Sequence, residues 1–155
     1  MPEGTPVHLR WRYIVLVFVG GSLGTAARYL LSVVIPSWPG VPLPTFAVNV
    51  VGAFALGLLL ETLIRRGPDE GIRRDLRLLA GTGVLGGFTT YSTFAVESVG
   101  LASGSLGDFL LYAGGTLVVG AAASAAGILV AALSHGWRPR RSTPGRTDAA
   151  PGGGR

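Results

Sequence analysis

Apolar residues run almost unbroken along four stretches of this chain, 13–35, 44–64, 76–101 and 109–133, with polar residues gathered between and beyond them. A helix needs about 20 consecutive apolar residues to cross a bilayer, and each stretch meets that length. The pattern predicts an all-α membrane protein with four transmembrane helices. Pro36, Pro39, Pro42 and Pro44 punctuate the first connection, Gly67 and Pro68 the second, and Ser103, Gly104, Ser105 and Gly107 the third. None of the three is long enough to hold a second domain.

The chain divides accordingly into an N-terminal segment, 1–12, a four-helix domain, 13–133, and a basic tail, 134–155, whose Pro, Gly and Arg content predicts disorder. Arg10 and Arg12 precede the first run as they would in a secretory signal. The run exceeds the usual signal core of about 7–15 residues, carries an internal Arg28 and ends without a clear cleavage site, so it reads as a retained helix.

Composition sharpens the membrane reading: 48% of the residues are hydrophobic and 14% charged, too apolar for an ordinary soluble domain. The absence of Cys excludes disulfides, thiolate metal sites and cysteine nucleophiles. His8 and His135 lie beyond the apolar stretches at opposite ends, which argues against a buried His metal site or a catalytic triad. The chemistry of an enzyme is missing. The net charge of +5 is carried by Arg alone, and it marks a membrane surface rather than a nucleic-acid groove.

Of the thirteen Arg, twelve fall on one side of a four-span topology: Arg10 and Arg12, the group from Arg65 to Arg77, and those of the tail. The connections on the other side carry none, so both termini and the middle loop are expected in the cytoplasm.

Charge within a bilayer helix costs about 2.5–3.5 kcal/mol at its centre, which makes every polar group in the spans a functional candidate. Arg28 and Glu61 lie close enough to span ends to snorkel, and Glu61 has a surface partner in Arg65 at i+4. Asn49 is deeper and reads either as a functional amide or as an interhelical clamp. In the third span, Gly81, Gly83, Gly86 and Gly87 are followed by Phe88-Thr89-Thr90-Tyr91-Ser92-Thr93-Phe94, a run of poor helix formers. A helix broken in mid-membrane is expected there, with its freed backbone groups lining a cavity; a continuous helix with a Gly packing face is the alternative. The G-x-G-x-x-G of Gly81 to Gly86 lacks the strand and acidic residue of a dinucleotide site. Gly20 with Gly24, and Gly83 with Gly87, are small-residue pairs suited to helix packing.

Taken in order, three segments resemble the CrcB/Fluc family of fluoride channels: Gly20 to Tyr29, Thr45 to Phe54, and Gly86 to Phe94 with Glu97. The resemblance covers 13–133 and leaves the tails unmatched. It implies an antiparallel, dual-topology dimer with two narrow fluoride pores and a central structural Na⁺, which exports fluoride passively across the bacterial plasma membrane. By position, Gly86 and Thr89 are the carbonyl donors to Na⁺. Tyr91 and Phe94 correspond to paired phenylalanines whose ring edges face fluoride. Asn49 is the pore amide, with Ser92, Thr93, Tyr112 and Thr116 on its polar track, Glu97 a pore-side acid, and Arg28 near a vestibule. Hydroxyls, an amide and the positive ring edges can replace fluoride's hydration without a fixed countercharge.

Tyr91 stands where the family usually has Phe, and its hydroxyl is a donor that needs a partner. The expectation is retained selectivity with altered conductance. A second departure is the one-sided Arg distribution, since identical chains in an inverted dimer must insert both ways. It points to a heterodimer with an oppositely oriented homologous subunit; a homodimer stands if insertion responds less to charge than the rule holds. The competing function is a small dual-topology multidrug or cation transporter, which would want an acid in the first span where this chain has only Arg28.

Overall fold

Pro36 sets the end of the first helix. α1 (Trp11–Val34) stops before Ile35, whose backbone is extended (φ −82°, ψ 116°), because the proline ring disfavours the helical region for the residue ahead of it. In α2 (Leu43–Arg65), Pro44 sits in the first turn, where a missing N–H costs nothing, and Arg65 closes the last turn against the negative end of the helix. A computed structural model describes residues 10–36 and 42–136 of the chain, with side chains as far as Ser134. His8, the imidazole of His135, the first nine residues of the N-terminal segment and the tail from 137 onward lie outside the described residues.

Every regular element among the described residues is a helix, with no strand. Three helices are long and apolar enough to cross a membrane: α1, α2 and Leu106–Ser134, the latter within α6 (Leu106–Gly136). The remaining stretch, expected as a broken span at 76–101, is divided. It begins with α3 (Ile72–Leu76), widens into a π-helical turn at Arg77–Leu85, tightens into α4 (Gly86–Phe88), and resumes after a gap as α5 (Ser92–Gly104). The π turn is a feature that composition did not signal. There Gly86 N–H reaches back to the carbonyls of Gly81 and Gly83.

Glycine decides which elements touch. A Cβ on Gly24 would collide with Val84 C=O, and one on Gly87 with Gly21 C=O, so α1 lies backbone to backbone on the π turn and α4. On the other side, Gly57 abuts Ser124 C=O and Gly127 abuts Phe54 C=O, which seats α2 on α6. Lipid offers no hydrophobic drive between helices, so close backbone approach is what holds such pairs together. The interior is correspondingly polar: Thr45, Thr90, Ser98 and Thr116 are buried alongside Val48, Leu63, Tyr112 and Ala131. Phe18, Leu111 and Val118 are among the many large apolar side chains on the outside, the reverse of a soluble protein.

At the Arg-rich end, Arg12 pairs with Asp75 and so ties the start of α1 to α3. Arg77 grips Asp69 through two bonds, 2.8 and 3.0 Å. Glu61 pairs with Arg65, as their spacing predicts.

Candidate functional site

The break between α4 and α5 is organised by one side chain from α2. Thr89 leaves the helix in an extended conformation (φ −74°, ψ 159°) while its hydroxyl still donates to Leu85 C=O at 2.9 Å. Thr90 N–H, which in an unbroken helix would donate to Gly86 C=O, donates instead to Asn49 Oδ1 at 2.8 Å. Asn49 Nδ2 returns a bond to Thr90 C=O at 3.0 Å. The amide therefore satisfies both backbone groups of a residue that has left the helix, as a buried chain break requires. One Nδ2 proton remains for another acceptor.

Thr90 then starts α5. Its Oγ1 accepts Thr93 N–H at 3.2 Å in the manner of a helix cap, donates to Thr93 Oγ1 at 3.1 Å, and lies 3.3 Å from Ser92 Oγ. On the far side of the break, Gly87 C=O accepts Arg28 Nε at 3.2 Å and Thr25 Oγ1 at 3.4 Å. Arg28 thus turns inward to the third segment and not outward to an interface.

Two cavities flank the break, and Thr90 lines both. The smaller, about 260 Å³, lies between α1 and α2 and is lined by Thr25, Arg28, Thr45, Thr90 and Thr93. The larger, about 650 Å³, is open on one side and is lined by Asn49, Gly86, Thr89, Tyr91, Phe94 and Thr116. One turn into α5, Glu97 spends both carboxylate oxygens on hydroxyls: Thr45 Oγ1 donates to Oε1 at 2.8 Å and Tyr112 OH to Oε2 at 2.7 Å. Tyr91, Phe94 and Tyr112 form a tilted file of rings with centroid separations of 6.2 and 5.6 Å.

The residues singled out in the sequence fall into three sets, with Ser92 apart from them. Asn49, Gly86, Thr89, Tyr91, Phe94 and Thr116 meet at the larger cavity, while Arg28 and Thr93 line the smaller. Glu97 and Tyr112 are bonded to each other. Ser92 borders neither of these two cavities but touches Thr90. Thr116 directs its proton to Tyr112 C=O at 2.7 Å, within its own helix. The sequence does not single out Thr45 and names Thr90 only within the run from Phe88 to Phe94, yet the structure brings both to the candidate site. Thr45 reads as part of a helix start beside Pro44, and Thr90 as one hydroxyl in a run of several; only their long-range partners mark them.

As a cation site, the break supplies hard backbone oxygens. Gly86 and Thr89 face the same cavity, the former without Thr90 as its helical donor and the latter on extended backbone. No cluster of three His, Cys, Asp or Glu able to hold a metal occurs among the described residues. Carbonyl oxygens are the donors that a hard cation takes, so Gly86 and Thr89 are the residues that could hold one at this cavity.

Residues 15–128 match the family model described as CrcB-like protein, Camphor Resistance (CrcB). The chain belongs to the CrcB family. The matched stretch of this CrcB-family chain takes in the break, Asn49, Glu97 and Tyr112. Among curated relatives, it is 59% identical over 128 residues to the fluoride-specific ion channel FluC 2 of Leifsonia xyli subsp. xyli, covering 82% of this chain and 88% of that one. It is 56% identical over 87 residues to the fluoride-specific ion channel FluC 1 of Cutibacterium acnes, covering 54% and 59% respectively. A third, the fluoride-specific ion channel FluC of Chlorobium luteolum, is 41% identical over 120 residues, 76% of this chain and 91% of that one. Together with the three apolar spans, these likenesses make this a multi-pass membrane protein of an ion-channel family.

Proposed function

We propose that the chain is a subunit of a fluoride-selective channel that lowers cytoplasmic fluoride by passive export across the bacterial plasma membrane. The observation that carries this reading is the pair of cavities meeting at the Asn49–Thr90 clamp, lined by hydrogen-bond donors and ring edges, in a chain so similar to proteins named fluoride channels.

Fluoride is small and holds its water tightly, so a path for it must offer donors in succession, none so strong as to trap the ion. Arg28, Thr93 and Thr90 would attract and begin to desolvate the anion in the smaller cavity. Beyond the clamp, the free Nδ2 proton of Asn49 and the edges of Tyr91 and Phe94 would take over. Glu97 would repel an anion if it stood bare. Its two hydroxyl partners spread and screen that charge, and they make Glu97 the acceptor that orients Thr45 and Tyr112.

Na⁺, when bound, would supply central positive charge and brace the break, held by the carbonyls of Gly86 and Thr89 with a matching pair from a second subunit. Support for a second subunit comes from the open side of the larger cavity and from Tyr91, which is 81% exposed in the single chain. In this reading the subunits pack antiparallel, and the Arg distribution sets both termini and the middle loop of this chain in the cytoplasm. The same bias favours a homologous partner of opposite orientation; the numbered names FluC 1 and FluC 2 among relatives hint at paralogues.

Fluoride efflux from liposomes tests the proposal, with chloride as the control ion. Fluoride flux is expected when this chain is reconstituted with its oppositely biased homologue, and its absence would overturn the channel reading. Robust flux from this chain alone would overturn the heterodimer and leave the channel standing. Tyr91→Phe should keep selectivity and change the flux rate; lost selectivity in that variant would contradict the role given to the ring edge.

A further inference from the structure

Away from the break, a cleft of about 720 Å³ opens between the first two turns of α1 and the start of the third segment. Its deeper part is apolar, built from Val17, Phe18 and Leu78, and its rim carries Asp69, Arg74 and Arg77. Phe18 lies about 10 Å along the helix from its first residue, at 1.5 Å per residue, so the cleft runs from the charged rim into the depth of the span. Phe18 is 73% exposed among the described residues. At the rim, Asp69 engages Arg77 at 2.8 Å and meets Arg74 only at 3.6 Å. Two guanidinium groups share one carboxylate, which leaves an uncompensated positive charge above an apolar channel.

Few molecules complement both halves. A free anion would match the rim and leave the apolar walls bare, and a neutral lipid would fill the walls and leave the charge unanswered. We propose that this cleft holds an anionic phospholipid, with its phosphate at Arg74 and Arg77 and an acyl chain along Val17, Phe18 and Leu78. Basic pockets beside membrane helices recognise anionic headgroups in this way. The inference does not depend on what ion the protein conducts.

Native mass spectrometry of the full chain, titrated in detergent with dioleoyl phosphatidylglycerol or dioleoyl phosphatidylcholine, tests it. The chain should retain phosphatidylglycerol more tightly. Arg74→Gln should weaken that binding about fivefold, the effect of one surface Arg, and leave phosphatidylcholine unchanged. Val17→Trp should weaken both lipids by filling the cleft. Asp69→Asn, at an exposed side chain that needs no repacking, should strengthen phosphatidylglycerol binding. Equal retention of the two lipids by the unmodified chain would overturn the proposal, as would indifference of phosphatidylglycerol binding to Arg74→Gln and Asp69→Asn. Displacement of the lipid by millimolar inorganic phosphate would overturn the acyl-chain part and leave only an anion site.

Discussion

The seam between α1 and the third segment and the break beside α2 both bring the third segment against a neighbouring helix, yet they do so with opposite chemistry. At the seam, side chains are removed: Gly20 lies on Gly83, Gly24 on Val84 and Gly87 on Gly21, and no Cβ fits at Gly20, Gly24, Gly83 or Gly87 without something shifting. At the break, side chains are added, and Asn49, Thr90 and Thr93 fill the space with hydrogen bonds. The first arrangement is held by shape and tolerates no added atom. The second is held by directional bonds, which an ion on the proposed path would exchange for bonds of its own.

The largest effect should come from attacking the seam. Gly24→Val drives a branched side chain into Val84 C=O, backbone that cannot swing aside, and should cost about 3 kcal/mol or more, the upper range for overpacking. Gly86→Ala, where an added Cβ meets nothing within 4 Å, is the matched control and should stay within about 0.5 kcal/mol. Melting in detergent measures both, and equal losses would erase the distinction between seam and break.

Asn49→Leu comes next. It keeps the volume of the side chain roughly constant but strands Thr90 N–H and C=O, so the expected loss is about 2–4 kcal/mol together with loss of fluoride flux. A variant that melts normally and conducts normally would show that the clamp matters to neither. Glu97→Gln preserves shape but leaves one acceptor oxygen for two donating hydroxyls, so one of Thr45 and Tyr112 must turn its proton elsewhere and accept from the amide; the cost should be roughly 1–2 kcal/mol, with slower flux. A simultaneous Tyr112→Phe should add little beyond it if the two residues act as a pair.

The smallest effect belongs to the exposed end. The hydrogen bond from Arg77 holds the Asp69 carboxyl below its ordinary range. A lowered carboxylate pKa stabilises the fold above the unfolded value, and that gain disappears as pH falls through the folded value. Asp69 is about half exposed and screened by solvent, so Asp69→Asn should lower stability by a few tenths of a kcal/mol at neutral pH. The difference from the unmodified chain should vanish in acid and shrink in high salt, which melting across pH and ionic strength would reveal.

Much of this was legible in the residues. Apolar length is a one-dimensional property, and α1, α2 and α6 lie within a few residues of the stretches it predicts. The run from Gly81 to Phe94 also marked its own interruption, because glycine and β-branched threonine are weak helix formers wherever they are placed. The Glu61–Arg65 pair followed from spacing along one helix face. What escaped the sequence were relations between helices. Thr45 has no local reason to be important until Glu97, fifty-two residues away, accepts its proton. Likewise, the π turn at Arg77–Leu85 is a matter of backbone register that side-chain identity leaves open.

The sequence by itself therefore determined that this chain lives in a membrane, how many apolar runs it has, where the third weakens and that its Arg lie almost wholly outside those runs. Those are consequences of transfer energy and local backbone preference, which act residue by residue. Only the tertiary structure decided that Asn49 would occupy both backbone groups of Thr90, that Arg28 would turn inward to Gly87, and that Glu97 would be bound by two hydroxyls. Hydrogen bonds act over about 3 Å and require both partners to be present, so they depend on how closely glycine contacts let the helices approach.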